Sequence, residues 1–292
     1  MTGLRRARGG AASASVWGES TLVESAWERS RNAAWRWAIG GVAVGAIAAL
    51  LLFAPAAWLA EAVARATGQR LLLAQARGTV WNGSAVMVLT GGPDSRDASA
   101  LPGRVEWTLR PGGLGLQLQA RHACCLNGAV SMHLAPGIGR LRATLQPVAG
   151  WVGQWPAAWL SGLGTPWNTL QPGGMLRLMS PGLAVESVQN RWRLAGRAEV
   201  ELVGVSSRLS TLPTLGTYRI NLVADPADPG AAQLQLSTRE GALQLSGSGQ
   251  WGTGGVRLRG EARAAAGNEA ALSNLLNIIG RRDGDRSVIS IG

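Results

Sequence analysis

Transition-metal sites draw their ligands mainly from histidine and cysteine, and this chain holds two of each: His122, His133, Cys124 and Cys125. The histidines form no HExxH or other dense ligand pattern, so they read as polar or structural positions in strands, and no metal is expected. In a regular strand the side chains of Cys124 and Cys125 face opposite ways, so an ordinary bridge between them conflicts with β geometry. A distorted vicinal disulfide, intermolecular bridges and two free thiols are the alternatives. Nucleophilic catalysis is no better served. Ser84, Ser206, Ser207 and the scattered acids lack a nucleophile elbow, and the glycines make neither a Walker loop nor a dinucleotide fingerprint. The reading is of a protein that is not an enzyme and has no cofactor.

The formal charge of +11 comes entirely from arginine on the basic side. These arginines are spread through alternating segments with no basic run, so the localized footprint of a nucleic-acid binder is missing. The remaining recognition candidates are aromatic. Trp81, Asn82 and Gly83 end the stretch GTVWNG, and Trp167 and Asn168 sit in its loose echo GTPWNT, Gly164 to Thr169. These are either pieces of a binding surface or corners of the fold.

The elements that position them are legible from periodicity. Residues 37–60 contain no charge, and as one helix they would rise about 36 Å, enough to cross a hydrocarbon core with tilt. Trp35, Trp37 and Trp58 bracket the run as interfacial indoles do, and Pro55 bends its far end. Its late start and length disfavour a cleaved signal peptide, and the missing polar side disfavours a buried soluble helix. The expected organisation is a flexible cytoplasmic segment 1–36, a transmembrane helix 37–60 and a periplasmic β-rich domain 61–292, with two halves meeting near 146–170. Arginines before the run, with Arg36 nearest, favour a cytoplasmic N terminus.

Beyond Arg70 the dominant period is two. In Arg191 to Val203, Leu194, Ala198, Val200 and Leu202 share one parity, while Arg193, Arg197, Glu199 and Glu201 share the other. RVEWTL (Arg104–Leu109), LQLQ (Leu116–Gln119), YRINL (Tyr218–Leu222), QLQL (Gln233–Leu236) and VRLRGEA (Val256–Ala262) repeat this pattern between Gly, Pro, Asn and Asp turns. The expected fold class is mainly β: a largely antiparallel sheet with one apolar and one wetter face. Whether a second sheet closes the apolar face is left open by the pattern.

GTVWNG reads as a corner joining strands over Arg70–Ala76 and Gly83–Leu89, with Trp81 closing the end of the apolar face. Trp151, Trp155 and Trp159 recur every four residues, which predicts a short helix with Pro156 in its first turn. Near the C terminus, Leu272, Leu275, Leu276 and Ile279 share a helical face, Gly280 is the expected C-cap, and SVISI reads as a last strand.

Five ordered segments carry a family resemblance. They are GTVWNG (Gly78–Gly83), WPAAWLSGLGTPWNTLQPGG (Trp155–Gly174), VSSRLSTLPTLGTYRI (Val205–Ile220), STREGALQLSGSGQW (Ser237–Trp251) and NLLNIIGRR (Asn274–Arg282). With the early apolar run, the chain resembles the inner-membrane protein N of bacterial type II secretion systems over about residues 36 to 292. The long N-terminal segment and the cysteine pair depart from the pattern. The resemblance implies a non-enzymatic accessory component with a curved periplasmic sheet and short packing helices. Its implied partners are inner-membrane platform proteins and the outer-membrane secretin, with energy transduction left to a cytoplasmic partner. The structural or partner-contact candidates are Trp81, Asn82, Gly83, Trp151, Trp155, Trp159, Trp167, Asn168, Ser206, Ser207, Leu215, Gly216 and Tyr218. The alternative is a lipid-binding or lipid-transport protein, which would require a continuous apolar groove.

Overall fold

The computed structural model describes residues 35, 37–188, 191–225, 227–228, 230–252 and 255–292. The segment expected as a cytoplasmic tail, 1–36, lies outside the described residues except for Trp35. The chain divides into two units, Met1–Phe53 and Ala54–Gly292.

In the first unit, residues 37–52 form helix α1, whose side chains are exposed all the way round. The continuous helix expected over 37–60 is instead two helices, because the second begins only at α2 (Ala56–Ala66). Pro55 explains the break: it has no N–H to donate and pushes the residue before it out of the α region. Its own backbone is extended, with φ −67° and ψ 146°. Among the described residues no helix is long and apolar enough to cross a membrane, and α1 rises about 24 Å.

The second unit is built on one antiparallel sheet. Its strands are β1 (Leu71–Gly78), β2 (Asn82–Thr90), β3 (Ala98–Ala100), β4 (Val105–Gly112), β5 (Gly115–His122), β6 (Ala129–Gly137), β7 (Arg140–Leu145) and β8 (Gly153–Pro156). They continue with β9 (Gly173–Val188), β10 (Arg191–Ser206), β11 (Gly216–Ala224), β12 (Ala232–Glu240), β13 (Leu243–Gly252), β14 (Gly255–Ala264), β15 (Arg281–Asp283) and β16 (Arg286–Ile291). The sheet order is β1-β2-β4-β5-β6-β7-β9-β10-β11-β12-β13-β14-β16-β15, with β3 beside β2 and β8 beside β9. Strand follows neighbouring strand almost throughout, as short turns between alternating segments dictate.

The longest strand, β9, serves two neighbours. Its C-terminal half pairs with β7 and its N-terminal half with β8. Between them the register against β10 shifts at Ser180 and Pro181, where Met179 faces Glu199 and Gly182 faces Arg197. The bulge accommodates Pro181, which cannot donate to the ladder. Ser180 donates its hydroxyl to Arg197 O at 2.9 Å across the gap.

Among the described residues no second sheet closes the apolar face. Local covers do so in four separate clusters. Ala56 of α2 packs with Ala85, Val105 and Trp107. Trp159 of the 3₁₀ helix Ala157–Leu163 packs with Leu101 and Cys125. Val152, in the loop before β8, joins Val130 and Leu145. Helix α4 (Glu269–Ile279) seats Leu272, Leu275 and Leu276 on Leu215, Tyr218, Leu243 and Ala262. The expected C-terminal helical face is therefore the buried one, and SVISI lies in β16.

Three local expectations need correction. Trp151, Trp155 and Trp159 do not share a helix: Trp151 is in a loop, Trp155 in β8 opposite Leu176, and only Trp159 is in the 3₁₀ helix. Pairing with β9 outcompetes the four-residue spacing, and Pro156 stands just before the helix. Gly280 is no left-handed cap, since its φ of −167° and ψ of 179° continue straight into β15. A side chain is excluded there for another reason: a Cβ would lie 2.5 Å from Val288 O. Cys124 and Cys125 fall in the turn between β5 and β6 and are joined by a disulfide, so strand alternation does not govern them.

Candidate functional site

The corner at GTVWNG shows how the sheet face is shaped. Thr79 N donates to Asn82 O at 2.8 Å and Asn82 N to Thr79 Oγ1 at 3.1 Å, closing the turn between β1 and β2. Trp81 is half-buried, and its carbonyl accepts from Leu109 N at 2.7 Å. The residue that fills the corner is Trp107 of β4, only 4% exposed, whose indole N–H donates to Val80 O at 3.0 Å. Gly83 lies opposite it, and a Cβ there would stand 2.6 Å from Trp107 Cζ2 and 2.7 Å from Arg77 O. The parity of RVEWTL already carried this signal, because Val105, Trp107 and Leu109 alternate with Glu106, Thr108 and Arg110.

The other candidates divide by location. Trp155 packs at the edge of the Cys125 cluster, and the indole N–H of Trp159 donates to Ser99 O at 3.0 Å. Trp151 contributes its carbonyl, which accepts from Asn127 Nδ2 at 3.0 Å. Trp167 and Asn168 begin α3 (Trp167–Leu170), where Asn168 Nδ2 donates to Asp97 Oδ2 at 3.1 Å. Ser206 ends β10 opposite Gly173. Ser207 is buried and donates to Leu170 O at 2.6 Å. Leu215 N donates to Val205 O at 2.6 Å, Gly216 passes tightly against Gly241, and Tyr218 donates to Leu243 O at 2.9 Å. Burial holds the Tyr218 phenol well above its ordinary range. Some of these contacts join a cover to the sheet, as Trp159 to Ser99 does, and others join strand to strand, as Tyr218 to Leu243 does; the structure does not gather the residues into one site.

Two concavities open on the opposite face. One, of about 600 Å³, is lined by Arg77, Asn82, Ser84, Glu106, Arg110 and Arg121 among others. Ser84, Glu106 and Arg121 stand in one cross-strand row, on the parity opposite to buried Ala85 and Trp107. The other, of about 700 Å³, is lined by residues that include Asn221, Gln235, Ser248, Arg259 and Ser290, again one cross-strand row. Leu236, Leu245 and Ala262 on the reverse parity face α4.

His122 and His133 do not meet. His133 contacts Gly112 O at 3.3 Å in the sheet, whereas His122, 5% exposed, ends β5 beside the cysteines. Burial lowers the His122 pKa from its usual value. Among the described residues no nucleophile, base and orienting group converge through hydrogen bonds, so the arrangement shows no clear active site.

The fold and its surfaces define the class: a single antiparallel sheet capped locally on one face and lined by cross-strand rows rich in polar residues on the other. Residues 69–289 match the family model described as type II secretion system (T2SS), protein N. The chain belongs to that family, and an accessory, non-enzymatic role in type II secretion follows from the membership. No curated protein and no solved structure matches it.

Proposed function

We propose that this chain is an inner-membrane-anchored accessory component of the secretion machine that presents its polar sheet face to envelope partners in the periplasm. The observation that carries the reading is the one-sidedness of the sheet. Helices α2 and α4, the 3₁₀ helix and the loop at Val152 cover parts of the apolar face, while rows that include Arg, Gln, Ser and Asn are open on the other. The polar side chains along these rows, with Val223 among them, suit protein contacts, whereas acyl chains need contiguous apolar area. Trp81 bonds to β4 through its carbonyl at the corner beside the smaller concavity, which Asn82 and Gly83 border.

Anchoring rests on α1, where Ile39, Val42, Val44, Ile47, Leu50, Leu51 and Leu52 are all at least half exposed. Such a surface is stable against lipid and costly against water. The platform proteins and the secretin are the partners this placement offers.

Two measurements test the proposal together. Alkaline extraction should leave the chain in the membrane fraction, and added protease should reach residues 61–292 only from the periplasmic side. In a strain lacking the native gene, Arg110→Glu with Arg121→Glu should reduce exoprotein export at unchanged protein level. Release by alkali as an intact soluble chain, or full export with the double variant, would contradict the anchoring or the polar-face reading respectively.

A further inference from the structure

The turn between β5 and β6 concentrates the chain's thiols beside a buried imidazole. Cys124 and Cys125 provide both of the sulfur donors in the sequence that can become thiolates, and the ligand atoms of His122, Cys124 and Cys125 all lie within 4.8 Å of one another. We propose that His122, Cys124 and Cys125 form a redox-gated site for a thiophilic d¹⁰ cation such as Zn²⁺ or Cu⁺, closed when the cysteines are a disulfide and open when they are dithiol.

The geometry supports this in three ways. First, adjacent residues in a strand would splay their side chains, but this turn brings the two sulfurs to a common point, as the disulfide itself shows. Second, the scaffold around the turn is fixed. Cys125 N donates to His122 O at 3.3 Å, Gln154 N donates to Cys125 O at 2.9 Å, and Asn127 N donates to Val152 O at 3.1 Å. The buried Cys125 packs with Leu101 and Trp159, whereas Cys124 is exposed and open to a reductant or an incoming cation.

Third, the His122 ring is set up as a donor. Cys124 N–H donates to Nδ1 at 3.3 Å, which turns the Nδ1 lone pair toward the cysteines and leaves the proton on Nε2. Nε2 is buried without a hydrogen-bond partner among the described residues, so the ring has no other bond that would oppose its use of Nδ1 as the donor atom. Coordination at Nδ1 replaces the long contact and needs no change of tautomer. Metal–sulfur and metal–nitrogen bonds of about 2.3 and 2.0 Å place ligand atoms roughly 3.3–3.9 Å apart, so small side-chain rotations complete the site. Two thiolates and one imidazole suit soft or borderline cations and leave one tetrahedral position to water.

Opening the site is a balanced exchange. An external dithiol, small-molecule or protein-borne, gives two electrons and two protons to the Cys124–Cys125 bond and leaves as its own disulfide. Cation binding then releases the two thiol protons to solvent.

The test uses the full chain in detergent, reduced with a phosphine that is then removed under anaerobic conditions, and titrated with Cd²⁺ as the spectroscopic probe. One equivalent should bind per reduced chain with a thiolate-to-metal charge-transfer band, and the oxidised chain should give no band. Cys124→Ser, at an exposed position, should abolish the band while circular dichroism still shows the sheet. His122→Gln should weaken binding at least about 10- to 100-fold, the loss typical even for an outer-shell partner. No binding to the reduced chain, equal binding to the oxidised chain, or binding indifferent to Cys124→Ser would overturn the site. Unchanged affinity in His122→Gln would overturn its third donor.

Discussion

Replacing Trp107 by Phe tests whether the corner of the sheet is held by the residue that the structure places there. The side chain is 4% exposed, and its indole N–H satisfies Val80 O at 3.0 Å. Exchanging indole for phenyl gives up roughly 40–50 Å² of buried apolar area, about 1 kcal/mol. Losing the hydrogen bond to the partly buried Val80 carbonyl adds about 0.5–1.5 kcal/mol. The expected destabilisation is about 2 kcal/mol, which for a domain of this size lowers Tm by roughly 4–8 °C. Melts of the detergent-solubilised chain followed by circular dichroism would measure it, since 13 tryptophans make fluorescence ambiguous. The matched control is Trp58→Phe, at a residue 53% exposed, where the change should stay within about 0.5 kcal/mol. Equal Tm values for the two variants would refute the reasoning that Trp107 closes the corner.

Leu275→Ala, at a side chain 1% exposed beneath α4, should cost about 2–5 kcal/mol, whereas Ile278→Ala, 49% exposed on the same helix, should cost under about 1. Gly83→Ala should destabilise by about 1–3 kcal/mol because the new Cβ meets Trp107 and backbone at 2.6–2.8 Å, while Gly182→Ala, with nothing within 4 Å, should be near neutral in the same melts. Tyr218 is the chain's only tyrosine, so phenolate absorbance reports it directly. Burial raises its pKa above the ordinary 10.0, so the unfolded chain loses the proton first. Stability should be intact below pH 10, fall as pH rises above it, and lose this contribution to the slope in Tyr218→Phe.

The sheet was legible because alternation is a strong physical signal. Val105, Trp107 and Leu109, or Leu243 and Leu245, must lie on one side of any strand that contains them. Helix α4 was legible for the equivalent reason, a single leucine face. What the sequence hid were competitions decided by tertiary pairing. The four-residue spacing of Trp151, Trp155 and Trp159 suggested a helix, but β9 recruits Gly153–Pro156 as a strand. Gly280 looked like a helix cap, yet close approach to Val288 is what requires it. Trp81 drew attention through its glycine surroundings, although the more deeply buried corner residue came from a strand twenty-odd residues later. The cysteine pair was judged by strand rules, and its turn lies outside them. The two concavities need distant strands set side by side, so periodicity revealed the polar parity that borders them without their extent.

The central claim is that the uncapped polar face meets the secretion machine. Photo-crosslinking residues at Gln119 and Ser248 on that face, with Ile278 on the outer side of α4 as control, would test it in intact envelopes. Mass spectrometry should identify secretion-platform proteins or the secretin from Gln119 or Ser248 and neither from Ile278. Recovery of lipid without those proteins, or the same adducts from all three positions, would contradict the account.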